Sequence, residues 1–298
     1  MSNGPDFIII GAMKCATSTL HDQLAAQDGI FMTSPKEPNF FSDDDVFSRG
    51  ESWYRDLFAD AAVESLCGES STHYSKLPTH DHTIERLVEM LGTDLRLVYM
   101  MRHPVDRLVS HYMHEWSQRE ITCPIDEAVS AHPELVDYGR YAYQLESWMN
   151  VFGQDAILPV FFERFVAEPQ DELQRIATFL GLTSDVTWVE ELKQRNASGE
   201  RLRRSPVRDL LIDNPLARSV RRTLVPKSWR DRAKAIWTMQ DRPTLSPDVQ
   251  QEVCQRFDED LATLGRWLNV GALSCETFKK TVREQAPAWV TVAEEIAS

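Results

Sequence analysis

The sequence predicts a single α/β domain with a central parallel sheet flanked by helices. Short apolar segments alternate with segments of helical periodicity, and they lie near residues 7–10, 30–32, 66–69, 95–101 and 156–162. The first segment holds three consecutive isoleucines followed by glycine, which is typical of a parallel strand covered by helices on both faces. Strands that alternate with helices in this way predict one doubly covered sheet.

The first strand breaks into small residues over positions 11–19, Gly-Ala-Met-Lys-Cys-Ala-Thr-Ser-Thr, where a helix begins. A junction of this kind presents free backbone N–H groups at the positive end of the helix dipole. Lys14 adds one cation, and Thr17, Ser18 and Thr19 add hydroxyl groups. The junction therefore predicts a P-loop-like pocket for a phosphate or sulfate group.

Two features separate this loop from the P-loop of a nucleotide kinase. A kinase ends the loop with Gly-Lys-Ser/Thr, whereas residues 16–18 are Ala-Thr-Ser. A kinase also needs a strand-end acid that helps to hold magnesium, but the strand at 95–101 runs into Arg102. An anionic nucleotide held without a metal is therefore expected. A kinase is the alternative with the same fold, and a non-catalytic nucleotide-binding protein is the alternative from another class.

Two further motifs accompany the loop: Lys-Glu-Pro-Asn-Phe-Phe at 36–41, and Arg102-His103-Pro104 with Ser110. The whole set, in this order, resembles the sulfotransferases that use 3′-phosphoadenosine 5′-phosphosulfate (PAPS), in particular the heparan/glycan-type branch and its bacterial relatives. The similarity runs from about Phe7 to Val270. The resemblance thus implies a sulfotransferase domain over residues 1–270 and a C-terminal tail over 271–298.

The resemblance also implies how the donor PAPS is held, without a metal. The loop would bind the 5′-phosphosulfate through Lys14, Cys15, Ala16, Thr17, Ser18 and Thr19. Lys14 would stabilise negative charge on the oxygen that bridges phosphorus and sulfur as this oxygen leaves. Arg102 and Ser110 would hold the 3′-phosphate.

Two residues match family positions where a general base is found. Glu37 lies on a loop stiffened by two prolines, and His114 lies one helical turn beyond Ser110. We place Glu37 first and expect His114 to support it with a hydrogen bond. The acceptor would be a hydroxyl of a small molecule, natural product or carbohydrate, with an amine as the alternative. Ser70 stands where glycan sulfotransferases usually carry lysine, which weakens the case for an acidic glycan.

Residues 195–240 form a basic segment, since positions 195–234 hold twelve Lys or Arg against four Asp or Glu. A loop in the corresponding part of the family closes over the nucleotide, and Ser198, Gly199 and Arg201 are its closest matches here. Residues 206–237 are expected to be helical and to form a lid over the acceptor site. A solvated basic linker is the alternative interpretation.

Composition and charge exclude several classes of protein. A net charge of −14 argues against nucleic acid as a partner. Five scattered cysteines without a Cys-x-x-Cys pair predict neither disulfides nor a zinc site. No signal peptide is recognised and no apolar run reaches the roughly 18 residues of a membrane span, so we expect a cytoplasmic protein without membrane partners. The oligomeric state and the identity of the acceptor are not predicted.

Overall fold

The computed structural model of the chain describes residues 4–192, 201–202, 238–239 and 242–290. Its centre is a parallel sheet of five strands in the order β2-β3-β1-β4-β5. The predicted α/β architecture is therefore confirmed. The strands are β1 (Phe7–Gly11), β2 (Ile30–Met32), β3 (Leu66–Ser70), β4 (Arg96–Met101) and β5 (Ile157–Phe161).

Helices cover the sheet and connect its strands. The first half of the chain has α1 (Thr17–Ala25), α2 (Asp44–Phe47), α3 (Glu51–Asp56), α4 (Thr83–Leu91) and α5 (Pro104–Gln118). The second half has α6 (Ile125–Ala131), α7 (Glu134–Asp137), α8 (Tyr141–Phe152), α9 (Phe162–Ala167), α10 (Pro169–Phe179), α11 (Pro247–Trp267) and α12 (Phe278–Glu284). Short 3₁₀ turns lie at Thr72–Ser75 and Gln154–Ala156. No helix in these described ranges is both long and apolar enough to cross a membrane.

The position of β1 in the sheet decides where a ligand can bind. It is fully buried and lies between β3 and β4. The connection after β1 leads to β2 on one side, whereas the connection after β4 leads to β5 on the other. In open parallel sheets, ligands bind at the carboxyl edge where two neighbouring strands send their connections in opposite directions. The loop after β1 and Arg102 after β4 lie at this point.

The described residues beyond position 270 pack on the same core. Phe278 and Val282 of α12 are fully buried, and α12 contacts α9. The indole N–H of Trp289 donates to the carbonyl of Ile157 at 2.6 Å. Residues 271–290, which belong to the predicted C-terminal tail, thus pack against the core of the domain.

The proline-interrupted segment 121–137 contains α6 and α7, where apolar side chains such as Ile125 and Leu135 are buried. The predicted basic lid, 206–237, lies outside the described residues. At its two ends, Arg201–Leu202 (β6) and Thr238–Met239 (β7) pair as antiparallel strands, and β6 contacts α5.

Candidate active site

A cavity of about 770 Å³ lies at the carboxyl edge of the sheet. Every strand delivers at least one residue to its wall shortly after the strand ends. The contributions are Lys14 after β1, Glu37 after β2, Thr72 after β3, Arg102 after β4 and Phe162 after β5. This common edge brings together side chains that are up to 148 positions apart in the sequence.

The loop after β1 has the geometry of an anion site. Lys14 and Ala16 both take the left-handed conformation, with φ of 69° and 70°. This conformation costs a residue other than glycine about 1 kcal/mol or more. Helix α1 then begins at Thr17 without a side-chain cap and without an acidic residue in its first turn. Its first N–H groups are therefore available to an anion in the cavity, whose wall includes Lys14, Thr17, Ser18 and Thr19.

Cys15 is the one residue of the predicted loop that the structure turns away from the cavity. Its Sγ atom is buried 3.9 Å from the Tyr141 hydroxyl, and burial raises the pKa of the thiol to about 12. Its N–H donates to the carbonyl of Ala12 at 3.2 Å. Both its side chain and its N–H thus stabilise the loop on the side away from the cavity. Cys15 was predicted to bind the donor, but it does not line the cavity.

Arg102 is fixed at the end of β4 by Tyr141. The tyrosine hydroxyl donates to the Arg102 carbonyl at 2.5 Å and accepts from its N–H at 3.1 Å. The Arg102 guanidinium lies 4.6 Å from the ring centre of Phe162, and its Nη1 donates to the carbonyl of Lys14 at 3.5 Å. Its buried Nε has no hydrogen-bond partner in the part of the chain that the structure describes. Such a donor fits an anionic oxygen, because a buried polar group without a partner is costly.

Helix α5 contributes Ser110 and His114 to the cavity wall, as their spacing of four residues predicts. The helix begins at Pro104 directly after the strand, so its first two turns pass beside Arg102. His111, on another face, is buried and stacks on Tyr138. The structure therefore brings the predicted Arg102, Ser110 and His114 to one cavity.

Glu37 is held on its loop by two donors. Its Oε1 atom lies 2.6 Å from Nζ of Lys36 and accepts from the Thr72 hydroxyl at 3.2 Å. Burial alone would raise the pKa of this carboxyl, but the Lys36 ammonium and the two hydrogen bonds outweigh it, and the pKa is lowered. Glu37 is therefore ionised at neutral pH, and its side chain lines the cavity.

The buried carboxylate of Glu69 is linked by hydrogen bonds to the loop that carries Glu37. Glu69 is fully buried at the end of β3 and accepts hydrogen bonds from Tyr54 and, at 2.6 Å, from Ser71. The Ser71 hydroxyl in turn accepts from the N–H of Asn39 at 3.0 Å, and the N–H of Glu37 donates to the carbonyl of residue 70 at 2.9 Å. These bonds tie the base-bearing loop to the sheet edge.

Several cavity residues were not singled out from the sequence. His73, Lys76 and Glu115 are polar, and Phe165 and Trp188 are aromatic. Burial lowers the pKa of His73 to about 4 and the pKa of Lys76 to about 8. A signal for Lys76 was available, since it follows β3 by six residues, but a single lysine in a turn is usually a surface residue.

The remaining predicted donor residues fall in the basic segment. Ser198 and Gly199 lie outside the described residues, and Arg201 is described only through its place in β6. Within the described ranges, no group of three or more His, Cys, Asp or Glu is arranged to hold a metal ion.

Comparison with known sequences identifies relatives of this chain. A family model described as the sulfotransferase domain matches residues 4–262. Heparan sulfate glucosamine 3-O-sulfotransferase 6 from Homo sapiens is 31% identical over 197 residues, which are 61% of this chain and 54% of that protein. The 3-O-sulfotransferase 3B1 from Mus musculus is 31% identical over 195 residues, 61% of this chain and 47% of that protein. The match thus spans about half the length of these curated relatives.

Comparison with solved structures agrees at the level of the fold. A sulfotransferase from Alicyclobacillus acidocaldarius has a TM-score of 0.63 at 23% identity, covering 88% of this chain and 94% of its own. The mouse sulfotransferase SULT7A1 complexed with PAP has a TM-score of 0.50 at 14% identity, covering 96% and 90%. At these identities, the likeness shows a shared fold and nothing finer.

The family model covers most of the chain, including the loop after β1, the Lys36–Glu37 loop and the β4–α5 junction. A nucleotide kinase and a non-catalytic nucleotide-binding protein, the two alternatives left open by the sequence, are thereby set aside. The chain belongs to the sulfotransferase family, as its motifs predict.

Proposed function

We propose that this protein transfers the sulfuryl group of PAPS to a hydroxyl of a small-molecule or carbohydrate acceptor. One observation carries the proposal: the uncapped start of α1 with Lys14, the side chain of Arg102 and the side chain of Glu37 all line the same cavity. The loop and Arg102 supply two separate places for anionic groups. The donor has two such groups, a 5′-phosphosulfate and a 3′-phosphate.

The residues that would bind the donor follow β1 and β4, the two neighbouring strands whose connections run in opposite directions. PAPS supplies an activated sulfuryl group joined to the 5′-phosphate through a bridging oxygen. The N–H groups of α1 with Thr17 and Ser18 would hold the 5′-phosphate, and Arg102 with Ser110 would hold the 3′-phosphate. The apolar wall formed by Phe165 and Trp188 offers a surface for the adenine base.

Glu37 and Lys14 would act on the atoms that change charge. Glu37 takes the acceptor proton while a new S–O bond forms to the acceptor oxygen and the S–O bond to the 5′-phosphate breaks. Lys14 stabilises the electron pair that remains on the former bridging oxygen. The products are the sulfated acceptor, 3′-phosphoadenosine 5′-phosphate (PAP) and a protonated Glu37. Glu37 then releases its proton to solvent. His114 would support the acceptor oxygen by a hydrogen bond.

The donor site is tested by binding. PAP is expected to bind equally well with and without EDTA, and more tightly than ATP, because Arg102 stands where a magnesium-dependent enzyme carries an acid. Isothermal titration calorimetry with PAP and ATP, each with and without EDTA, measures both differences. Loss of PAP binding on chelation, or equal affinity for ATP, would contradict the proposed donor.

Replacing Arg102 by alanine is expected to weaken PAP binding by roughly 10- to 100-fold, which is the usual range for charge-assisted hydrogen bonds. Adenosine 5′-phosphosulfate, which lacks the 3′-phosphate, should lose little affinity in the same variant. Arg49, which lies over Trp53 away from the cavity, provides a matched arginine-to-alanine control. An equal loss for both nucleotides would contradict the assignment of Arg102 to the 3′-phosphate.

A further inference from the structure

The cavity has an acceptor end, which we define as the residues grouped around the Glu37 carboxylate. Thr72 donates a hydrogen bond to Glu37. Burial lowers the pKa of Lys76, and the negative charges of Glu37 and Glu115 partly oppose this by favouring its protonated form. His73 belongs to the same group, because it follows Thr72 directly and lines the cavity with it. These residues line the cavity together.

The described cations and carboxylates at the acceptor end balance. Lys36 forms an ion pair with Glu37 at 2.6 Å. The Glu115 carboxylate lies 3.3 Å from Nε2 of His111, and its charge also favours the protonated form of Lys76, which lines the same cavity. Lys76 is only 8% exposed, and its pKa of about 8 leaves it mostly protonated at neutral pH. Burying an ammonium is costly unless acceptors and opposite charges surround it, so the acceptor end holds no large excess of positive charge.

The donor shifts this balance toward negative charge. A phosphomonoester together with a phosphosulfate brings about three to four negative charges. Besides Lys36 and Lys76, which the two carboxylates balance, the described cavity wall has Lys14 and Arg102 to oppose these charges. An acceptor that arrives beside the bound donor therefore meets a site in which a further anion is repelled.

The surface next to the acceptor end is acidic as well. His73 stacks on His80, with ring centres 4.9 Å apart, and His80 lines a second groove of about 450 Å³. Four aspartates line this groove, and Arg86, 2.6 Å from one of them, is its only arginine among the described lining residues; the aspartates are Asp43, Asp44, Asp45 and Asp81. A long anionic chain that left the cavity along this side would pass within the Debye length of these carboxylates, about 8 Å at physiological salt.

We infer that the acceptor is an uncharged polyhydroxyl compound, and that Lys76 and Glu115 select it. The Lys76 ammonium donates to one hydroxyl oxygen, and the Glu115 carboxylate accepts from a neighbouring hydroxyl, while a third hydroxyl is presented to Glu37. An anionic group in the same place would face Glu115 and the donor. This inference rests on the proposed sulfotransferase function, and it differs from the heparan sulfate that names the relatives.

A matched pair of acceptors tests the inference. p-Nitrophenyl β-glucoside and p-nitrophenyl β-glucuronide differ only in a CH₂OH group and a carboxylate. We expect kcat/KM with PAPS to be at least about 10-fold higher for the glucoside, because a like charge beside a desolvated carboxylate is strongly disfavoured. An N-sulfated heparosan oligosaccharide should react more slowly than either.

Variants connect the preference to the named pair. Glu115→Gln removes the charge but keeps a hydrogen-bonding side chain, so it should reduce the glucoside-to-glucuronide ratio about 5-fold or more. Lys76→Met should lower kcat/KM for the glucoside by about 10-fold while PAP affinity changes less than about 2-fold. Glu89→Gln, an exposed change of the same charge on α4, is the matched control and should leave the ratio unchanged.

The outcomes separate the inference from the proposed function. If PAP fails to bind in calorimetry, the sulfotransferase assignment itself is contradicted. If PAP binds but the glucuronide or the heparosan oligosaccharide is preferred, or if no neutral member of the panel is sulfated, only the inference is overturned. It is overturned too if Glu115→Gln and Glu89→Gln give the same ratio as the unaltered protein.

Discussion

Replacing Glu37 by glutamine is expected to lower kcat by about 10²- to 10⁴-fold, the range for loss of a positioned general base. Glutamine keeps the size of the side chain, and its amide oxygen still accepts from Lys36 and Thr72. It does not take up the proton that the acceptor hydroxyl must lose. PAP affinity should change less than about 2-fold, because Glu37 lies on the β2 loop and not on the phosphate-binding loop. Turnover with labelled PAPS and calorimetry with PAP measure the two effects.

His114→Ala provides the comparison, because His114 lines the same cavity from α5. We expect it to be the milder change, about 10-fold or less in kcat, as for loss of one supporting hydrogen bond. A near-normal rate for Glu37→Gln together with a severe loss for His114→Ala would reverse the order and make the histidine the base.

The pH dependence discriminates between the same two residues. A base must be deprotonated to act, and the pKa of Glu37 is lowered by Lys36 and Thr72 despite burial. Its activity should thus persist in mild acid and fall only below the ordinary glutamate pKa of about 4.3. A histidine base with an unshifted pKa would lose activity below about pH 6.5. A profile of kcat/KM that falls through that range in the unaltered protein, and no longer does so in His114→Ala, would contradict the assignment to Glu37.

Most of the fold was readable from the sequence, because its strands are short apolar runs between helices. The strand at Ile30–Met32 has the predicted bounds. The helices at 125–131 and 134–137 were not predicted, since two prolines interrupt that region and hide its periodicity. Packing of residues 271–290 depends on contacts such as that of Trp289 with β5, which no local pattern reports.

The site residues that directly follow a strand could be predicted from the sequence. Those whose place in the cavity depends on how a turn packs against the sheet could not. Lys14, Glu37 and Arg102 each follow a strand, so the common edge of a parallel sheet was enough to bring them together. Lys76 belongs to the cavity only because the turn after β3 folds back against β1. A Cβ on Gly11 would lie 1.9 Å from the hydroxyl of Ser75, so this close approach requires glycine there. The turn therefore faces the cavity, a tertiary effect that a single sequence does not display.

Replacing Lys14 by methionine is expected to lower kcat by about 10²- to 10³-fold, as for the loss of one group that stabilises a developing anion. Charge on the bridging oxygen is greatest in the transition state, so affinity for PAP should fall much less than turnover. The unbranched methionine keeps most of the side-chain stem, and the left-handed backbone at φ 69° is no worse for methionine than for lysine. Single-turnover rates and calorimetry with PAP separate the two effects.

Arg102 and Lys14 are structurally coupled, because the Nη1 atom of Arg102 donates to the carbonyl of Lys14 at 3.5 Å. Removing the Arg102 guanidinium therefore also loosens the loop that carries Lys14. The double variant should consequently lose less in kcat than the sum of the two single losses, whereas the losses in PAP affinity should add. The assignment would be contradicted if both single variants lost kcat and PAP affinity in the same proportion, or if the losses in kcat were strictly additive. Lys14 would then not act mainly on the reacting end of the donor, nor Arg102 mainly on its 3′-phosphate.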